Sequence, residues 1–263
     1  MTVGDTKIAE ATDKNSKPKL SWGPLTAIWF SIFIYFAAQF AGALIMLGYT
    51  HAQGWSKGRT TEWLNHSSYA QFFFVLLVEA ITLLGLWWFL KGRHAKPADI
   101  GLKRPKWIDI AYALTGFGVY FLIFIVSLTA LKHVFIGLNT NQKQDLGFNT
   151  SASGLALATI FVALVILPPL VEEILVRGFL YTGLRSKLPV VVAALITSVM
   201  FATAHLQFGS GTPLLWSAAI DTFTLSLVLV YLRQKTDRLW ASIMLHMLKN
   251  GVAFVGLFIL HLN

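Results

Sequence analysis

The sequence predicts an all-α, polytopic membrane bundle of about seven transmembrane helices, with the N-terminus inside. Composition and pattern carry this expectation together. The chain of 263 residues is 56% hydrophobic and only 13% charged, where soluble domains average about 25% charged residues. Its apolar runs reach the roughly 20 residues that a helix needs to cross a bilayer. None alternates in the short pattern of barrel strands, and lipid admits only helices and closed barrels.

Taken in order, residues 1–21 are polar and mixed in charge. They lack the short apolar core of a cleaved signal peptide, so a disordered tail is expected. Residues 22–263 then form a single transmembrane helical domain without an internal repeat. The first span is placed at residues 25–48, followed by a polar loop at 49–68. The second, 70–90, carries Glu79 and ends on Trp87-Trp88, an interfacial signature. The most basic loop follows, with Lys91, Arg93, Lys96, Lys103, Arg104 and Lys106. The third span is 108–131, and the polar connection 132–152 has room for a short surface helix. The fourth run, 155–184, is interrupted by Pro168-Pro169, which removes two backbone donors and is expected to kink or restart the helix. Spans five to seven fall at 189–207, 212–232 and 238–260.

Basic residues orient the bundle. With the N-terminus inside, 15 of the 21 Lys and Arg lie in inside segments and 4 in outside segments. That asymmetry is what cytoplasmic loops facing anionic lipid show. It also accounts for the net charge of +9 without nucleic acid, for which no basic patch with interleaved aromatics exists. The lipid bilayer is the expected partner, and the plasma membrane the expected location. With no cysteine, disulfides, thiolate metal sites and thiol nucleophiles are excluded.

Few ionisable or strongly polar residues fall inside the spans: Glu79, Glu172, Glu173, Arg177, His205, Asp221, His246, Lys249 and Asn250. Charges at that depth are costly unless paired, and by default they mark function. Glu173 and Arg177 are spaced i,i+4, as are His246 and Asn250, and Phe201 and His205. Neighbouring Glu172 and Glu173 differ by about 100° around a helix, so they cannot share a face. Arg177 is expected to neutralise Glu173, leaving Glu172, two histidines and an asparagine free to converge. That set suits either hydrolytic water activation or a metal site. Glu79 and Asp221 read as structural or vestibule acids, and Lys249 as a side chain that snorkels. Counted along the spans, His205 lies nearer the outer end than Glu172 or His246. A fifth helix that starts in the cytosol, or an interfacial segment after the glutamates, would bring them level.

Glu172-Glu173-x3-Arg177, Phe201-x3-His205 and His246-x3-Asn250 together resemble the three-part signature of the CPBP family of CAAX proteases and bacteriocin-processing (Abi) proteins. This family includes the type II CAAX prenyl endopeptidases. The resemblance covers about residues 165–255, which would be the catalytic core. It implies an intramembrane endopeptidase acting on membrane-associated protein or peptide substrates, in CAAX-type processing or bacteriocin self-immunity. It assigns Glu172 as the base that activates water and His205 as its partner. His246 and Asn250 become the oxyanion-stabilising pair, and Glu173 and Arg177 the residues that organise the site. The cofactor is either none or Zn²⁺; zinc would take Glu172, His205 and His246. The absence of a compact ligand motif favours the glutamate.

Two rival readings remain at this level. Ser151-Ala152-Ser153-Gly154 loosely resembles the rhomboid serine-protease motif, with a helix cap as the simpler role for Ser153. A non-enzymatic immunity protein or transporter would also use intramembrane acids and histidines.

Overall fold

The computed structural model describes residues 20–135, 147–148, 151–206 and 214–262, and every regular element among them is helical. The helices are α1 (Pro24–Ala52), α2 (Lys57–His66), α3 (Ser68–Gly92), α4 (Ile108–Val134), α5 (Gly154–Arg185), α6 (Val190–Ala204), α7 (Trp216–Thr236) and α8 (Trp240–Ile259). The expected N-terminal tail up to residue 19, and most of the 132–152 connection, lie outside the described residues.

Five of these helices, α1, α3, α4, α5 and α8, are long and apolar enough to cross a membrane. The other two expected spans are of a different kind. Helix α6 has 15 residues, about 22 Å, and stops short of full bilayer thickness. Helix α7 has 21 residues but includes Asp221, Arg233, Lys235 and several Ser and Thr. It packs against α4, α6 and α8 and buries 11 of its residues in protein. A helix sheathed by other helices needs no lipophilic surface, so its hydropathy falls although it lies within the bundle.

Local chemistry sets the helix ends. Pro24 opens α1, where its missing N–H would be unsatisfied anyway. Ser67 caps α3 by accepting from the amide of Ala70 at 3.3 Å. The 49–68 loop contains a helix that hydropathy alone does not show. Ser56 accepts from the amide of Arg59 to start α2, and Tyr49, Trp55 and Trp63 cluster there with ring centroids 5.3–6.0 Å apart.

The basic loop after α3 closes one end of the bundle over the α7–α8 turn. Arg238 donates to Asp109 through both Nε and Nη2, at 3.1 and 2.7 Å. Asp237 is held by Lys103 and Arg233. Partial burial pushes its carboxyl up, but hydrogen bonds from Lys103 and Arg233 outweigh this and leave it below the ordinary carboxylate range. Gly101 accepts from the amide of Leu239 at 3.1 Å. Its φ of +86° and the Arg233 guanidinium, 2.7 Å from where a Cβ would stand, both demand glycine.

The largest core cluster surrounds Phe179, which stacks on Trp22 at 5.3 Å and meets Phe30 and Phe89 at 5.1 Å. It fastens α1 and α3 to the last turns of α5. Gly183 lets α1 approach, because a Cβ there would fall 2.5 Å from Ala27. Between Val171 and Arg185 every residue is buried except Glu172 and Val176. Helix α5 is the axis of the fold, and Glu172 sits on one of its two openings.

Candidate active site

The tandem proline shapes α5 without breaking it. The helix runs on through two π-helical stretches, Val162–Ile166 and Glu173–Leu180, which flank the prolines. Such wider turns concentrate at functional sites. Pro168 and Pro169 have no N–H, and they occupy the positions that would donate to the Leu164 carbonyl in an α turn and in a π turn. The amide of Leu167 is engaged with Val162. Asn250 fills the gap from α8, donating through Nδ2 to the Leu164 carbonyl at 2.9 Å. Its side-chain amide therefore ties α8 to α5, a structural task that the oxyanion expectation did not include.

The two neighbouring glutamates occupy opposite environments. Glu173 and Arg177 are both 0% exposed and pair at 2.9 Å, as the spacing predicts. The guanidinium carbon of Arg177 also lies 4.2 Å from the centroid of the Phe201 ring, a cation–π contact. The Glu172 side chain is 32% exposed. It opens onto a cleft of about 240 Å³ between α1, α3 and α5, lined by Tyr35, Gln39, Phe74, Val78 and Glu79 among others.

His246 stands between the two acids. Its Nδ1–H donates to Glu173 Oε1 at 3.0 Å, and its Nε2 lies 3.8 Å from Glu172 Oε2. Adjacent residues thus reach the two nitrogens of one imidazole, although they lie on different faces of α5. His205 follows the last residue of the short α6 and gives its Nδ1–H to the Phe201 carbonyl at 2.8 Å. This fixes the ring and leaves Nε2 available. Phe201 bridges the histidines, 4.7 Å from the His205 ring and 5.9 Å from that of His246.

The structure thus gathers Glu172, Glu173, Arg177, His205 and His246, with Asn250 at the edge. Three further features escaped the sequence reading. Lys249 does not snorkel freely; it pairs with Asp221 at 2.8 Å, and Asp221 also accepts from the Tyr120 hydroxyl. This triad locks α8, which carries His246 and Asn250, to α7 and α4. Its trace in the sequence is the pairing of one intramembrane acid with one intramembrane base. The Leu164 carbonyl could have been found by counting back four and five residues from the prolines. Glu79 lines the same cleft as Glu172, and only the packing of α3 on α5 reveals that.

Glu172, His205 and His246 do not form a ready zinc site. No group of three acidic or histidine side chains among the described residues is arranged to hold a metal ion. The rhomboid-like serine is also misplaced: Ser153 stands at the start of α5, 19 residues before Glu172, or about 28 Å along the helix. Its side chain makes no capping hydrogen bond either, although it occupies the cap position.

Residues 154–252, which include all six gathered side chains, match the family described as type II CAAX prenyl endopeptidase Rce1-like. The likeness to this family is therefore confined to the segment from α5 to α8 that carries the gathered side chains. It is 24% identical over 223 residues to "Putative membrane peptidase YdiL" of Bacillus subtilis (strain 168), covering 84% of this chain and 85% of that protein. It is 27% identical over 240 residues to "Membrane-embedded CAAX protease MroQ" of Staphylococcus aureus (strain USA300), covering 88% and 90%. No solved structure matches. With five apolar spans and relatives of this kind, the protein is a multi-pass integral membrane protein.

Proposed function

We propose that this protein is an intramembrane endopeptidase that cleaves membrane-associated protein or peptide substrates, with Glu172 as the general base. The asymmetry of the two carboxylates supports this most strongly. A base needs a free oxygen and access to substrate. Glu173 is sealed and engaged by Arg177 and His246, while Glu172 opens onto the cleft.

The 3.8 Å between Glu172 Oε2 and His246 Nε2 exceeds a direct hydrogen bond and suits a bridging water. In the proposed reaction Glu172 takes a proton from that water as its oxygen attacks the scissile carbonyl. The proton then passes to the departing amine as the C–N bond breaks, which returns Glu172 to its starting form. His246 orients the water through Nε2, held in place by the hydrogen bond from its Nδ1–H to Glu173. His205, whose ring packs on Phe201 as that of His246 does, is the proposed partner of Glu172. Arg177 pairs with Glu173 and fixes it, and Asn250 anchors α8 so that His246 stays in register. The basic end of the bundle faces the cytoplasm, in the plasma membrane.

The test is Glu172→Ala at unchanged expression and folding, assayed on a membrane-proximal peptide. Cleavage should disappear; full activity in this variant would remove Glu172 from the chemistry.

A further inference from the structure

Glu79 is an acid in the middle of a membrane span that no step above uses. It lies about 17 Å along α3 from one end and about 20 Å from the other. It makes no hydrogen bond or ion pair with any described residue. The cleft it shares with Glu172 is otherwise apolar or neutral, with Tyr35, Gln39, Phe74 and Val78 among its walls, and no Lys, Arg or His lines it among the described residues. Every other intramembrane acid identified from the sequence and set deep in the bundle has a partner. Glu173 has Arg177 and His246, and Asp221 has Lys249 and Tyr120. Even Glu172 faces an imidazole.

A carboxylate kept at this depth without a cation costs free energy in the unliganded protein. That cost becomes selectivity if the partner arrives with the substrate. A cationic side chain entering the cleft would then meet Glu79, with no Lys, Arg or His among the described residues of the lining to compete for it. Tyr35 and Phe74 supply aromatic surface on which the stem and head of a lysine or arginine can rest. Neutral or acidic residues at the same place would leave Glu79 unpaired or repelled, and complementarity of this kind sets specificity more than affinity.

We propose that Glu79 is a specificity-determining residue, which selects substrates carrying a basic side chain beside the scissile bond within an otherwise apolar segment. This rests on the peptidase reading of the same cleft and names its substrate class. The experiment uses the full-length protein in liposomes. The probes are quenched-fluorescence peptides that move one lysine, or its neutral isostere norleucine, through each position flanking the cleavage site.

The wild-type protein should prefer lysine at one position by about tenfold or more in kcat/KM, the discrimination expected of about 1.4 kcal/mol. Glu79→Gln should bring that ratio close to one while still cleaving the norleucine peptide. Glu79→Lys should reverse the preference towards a glutamate peptide. An unchanged ratio in Glu79→Gln, or no preference at any position in the wild type, overturns the proposal. So does a Glu79→Gln variant that is folded, as judged by thermal unfolding, yet inactive on both peptides, because Glu79 would then belong to the chemistry. Glu172→Gln separates the two levels. If it is inactive on every peptide while Glu79→Gln keeps an unchanged ratio, the peptidase reading stands and the selectivity assignment alone falls.

Discussion

Replacing Arg177 with methionine tests how the site is held together. The substitution keeps much of the side-chain volume but leaves the Glu173 carboxylate at 0% exposure with its guanidinium gone. Removing one member of a fully buried pair costs about 3–5 kcal/mol, because the remaining charge is left uncompensated. Loss of the desolvated contact with Phe201, at 4.2 Å, adds about 2 kcal/mol. Proteins retain only about 5–15 kcal/mol in total, so the single variant should be severely destabilised. Glu173→Gln/Arg177→Met removes both charges, and replacing a whole buried pair is often close to neutral. The double variant should therefore recover roughly 3 kcal/mol or more of the loss, while still lacking the ring contact. Thermal unfolding in detergent, followed by tryptophan fluorescence, reads both variants against wild type. Equal stability in the single and double variants would show that Arg177 does not carry the charge of Glu173, and the account of the site would fail there.

Two further outcomes follow from the geometry around α8. Pro168→Ala/Pro169→Ala supplies two N–H donors that compete with Asn250 for the Leu164 carbonyl; kcat should fall about fivefold, the equivalent of about one hydrogen bond, with KM held. An unchanged kcat, or a fall matched by a rise in KM, would count against the anchoring role. Lys249→Met should destabilise the fold by roughly 3 kcal/mol through the uncompensated Asp221, and Asp221→Asn/Lys249→Met should restore most of it. Thermal unfolding again provides the reading, and a double variant no better than the single would break the proposed link between α7 and α8.

The helical membrane bundle was legible because lipid demands long apolar runs, and α1, α3, α4, α5 and α8 supply them. The two remaining segments are helices as expected, but neither has the length and hydropathy of a lipid-facing span. Hydropathy measures contact with lipid and α7 is largely wrapped in protein, while α6 has only 15 residues. In the site, the i,i+4 spacing exposed the pairing of Glu173 with Arg177, since one turn of a helix sets it. Contacts across helices were not legible. Nothing in the spacing says that His246 gives Nδ1–H to Glu173 and turns Nε2 to Glu172, or that Glu79 of α3 faces the cleft. Asn250 shows both sides: its motif position pointed to the oxyanion, while the tandem proline, four and five residues after Leu164, held the clue to where its amide donates.

The central claim is that Glu172 acts on water and not on substrate binding. Steady-state cleavage by Glu172→Gln, in liposomes and with folding verified, tests it most directly. The account predicts a fall in kcat of about 10²–10⁴, the usual contribution of a positioned general base, with KM close to wild type. A kcat within about twofold of wild type, or a loss confined to KM, would contradict it.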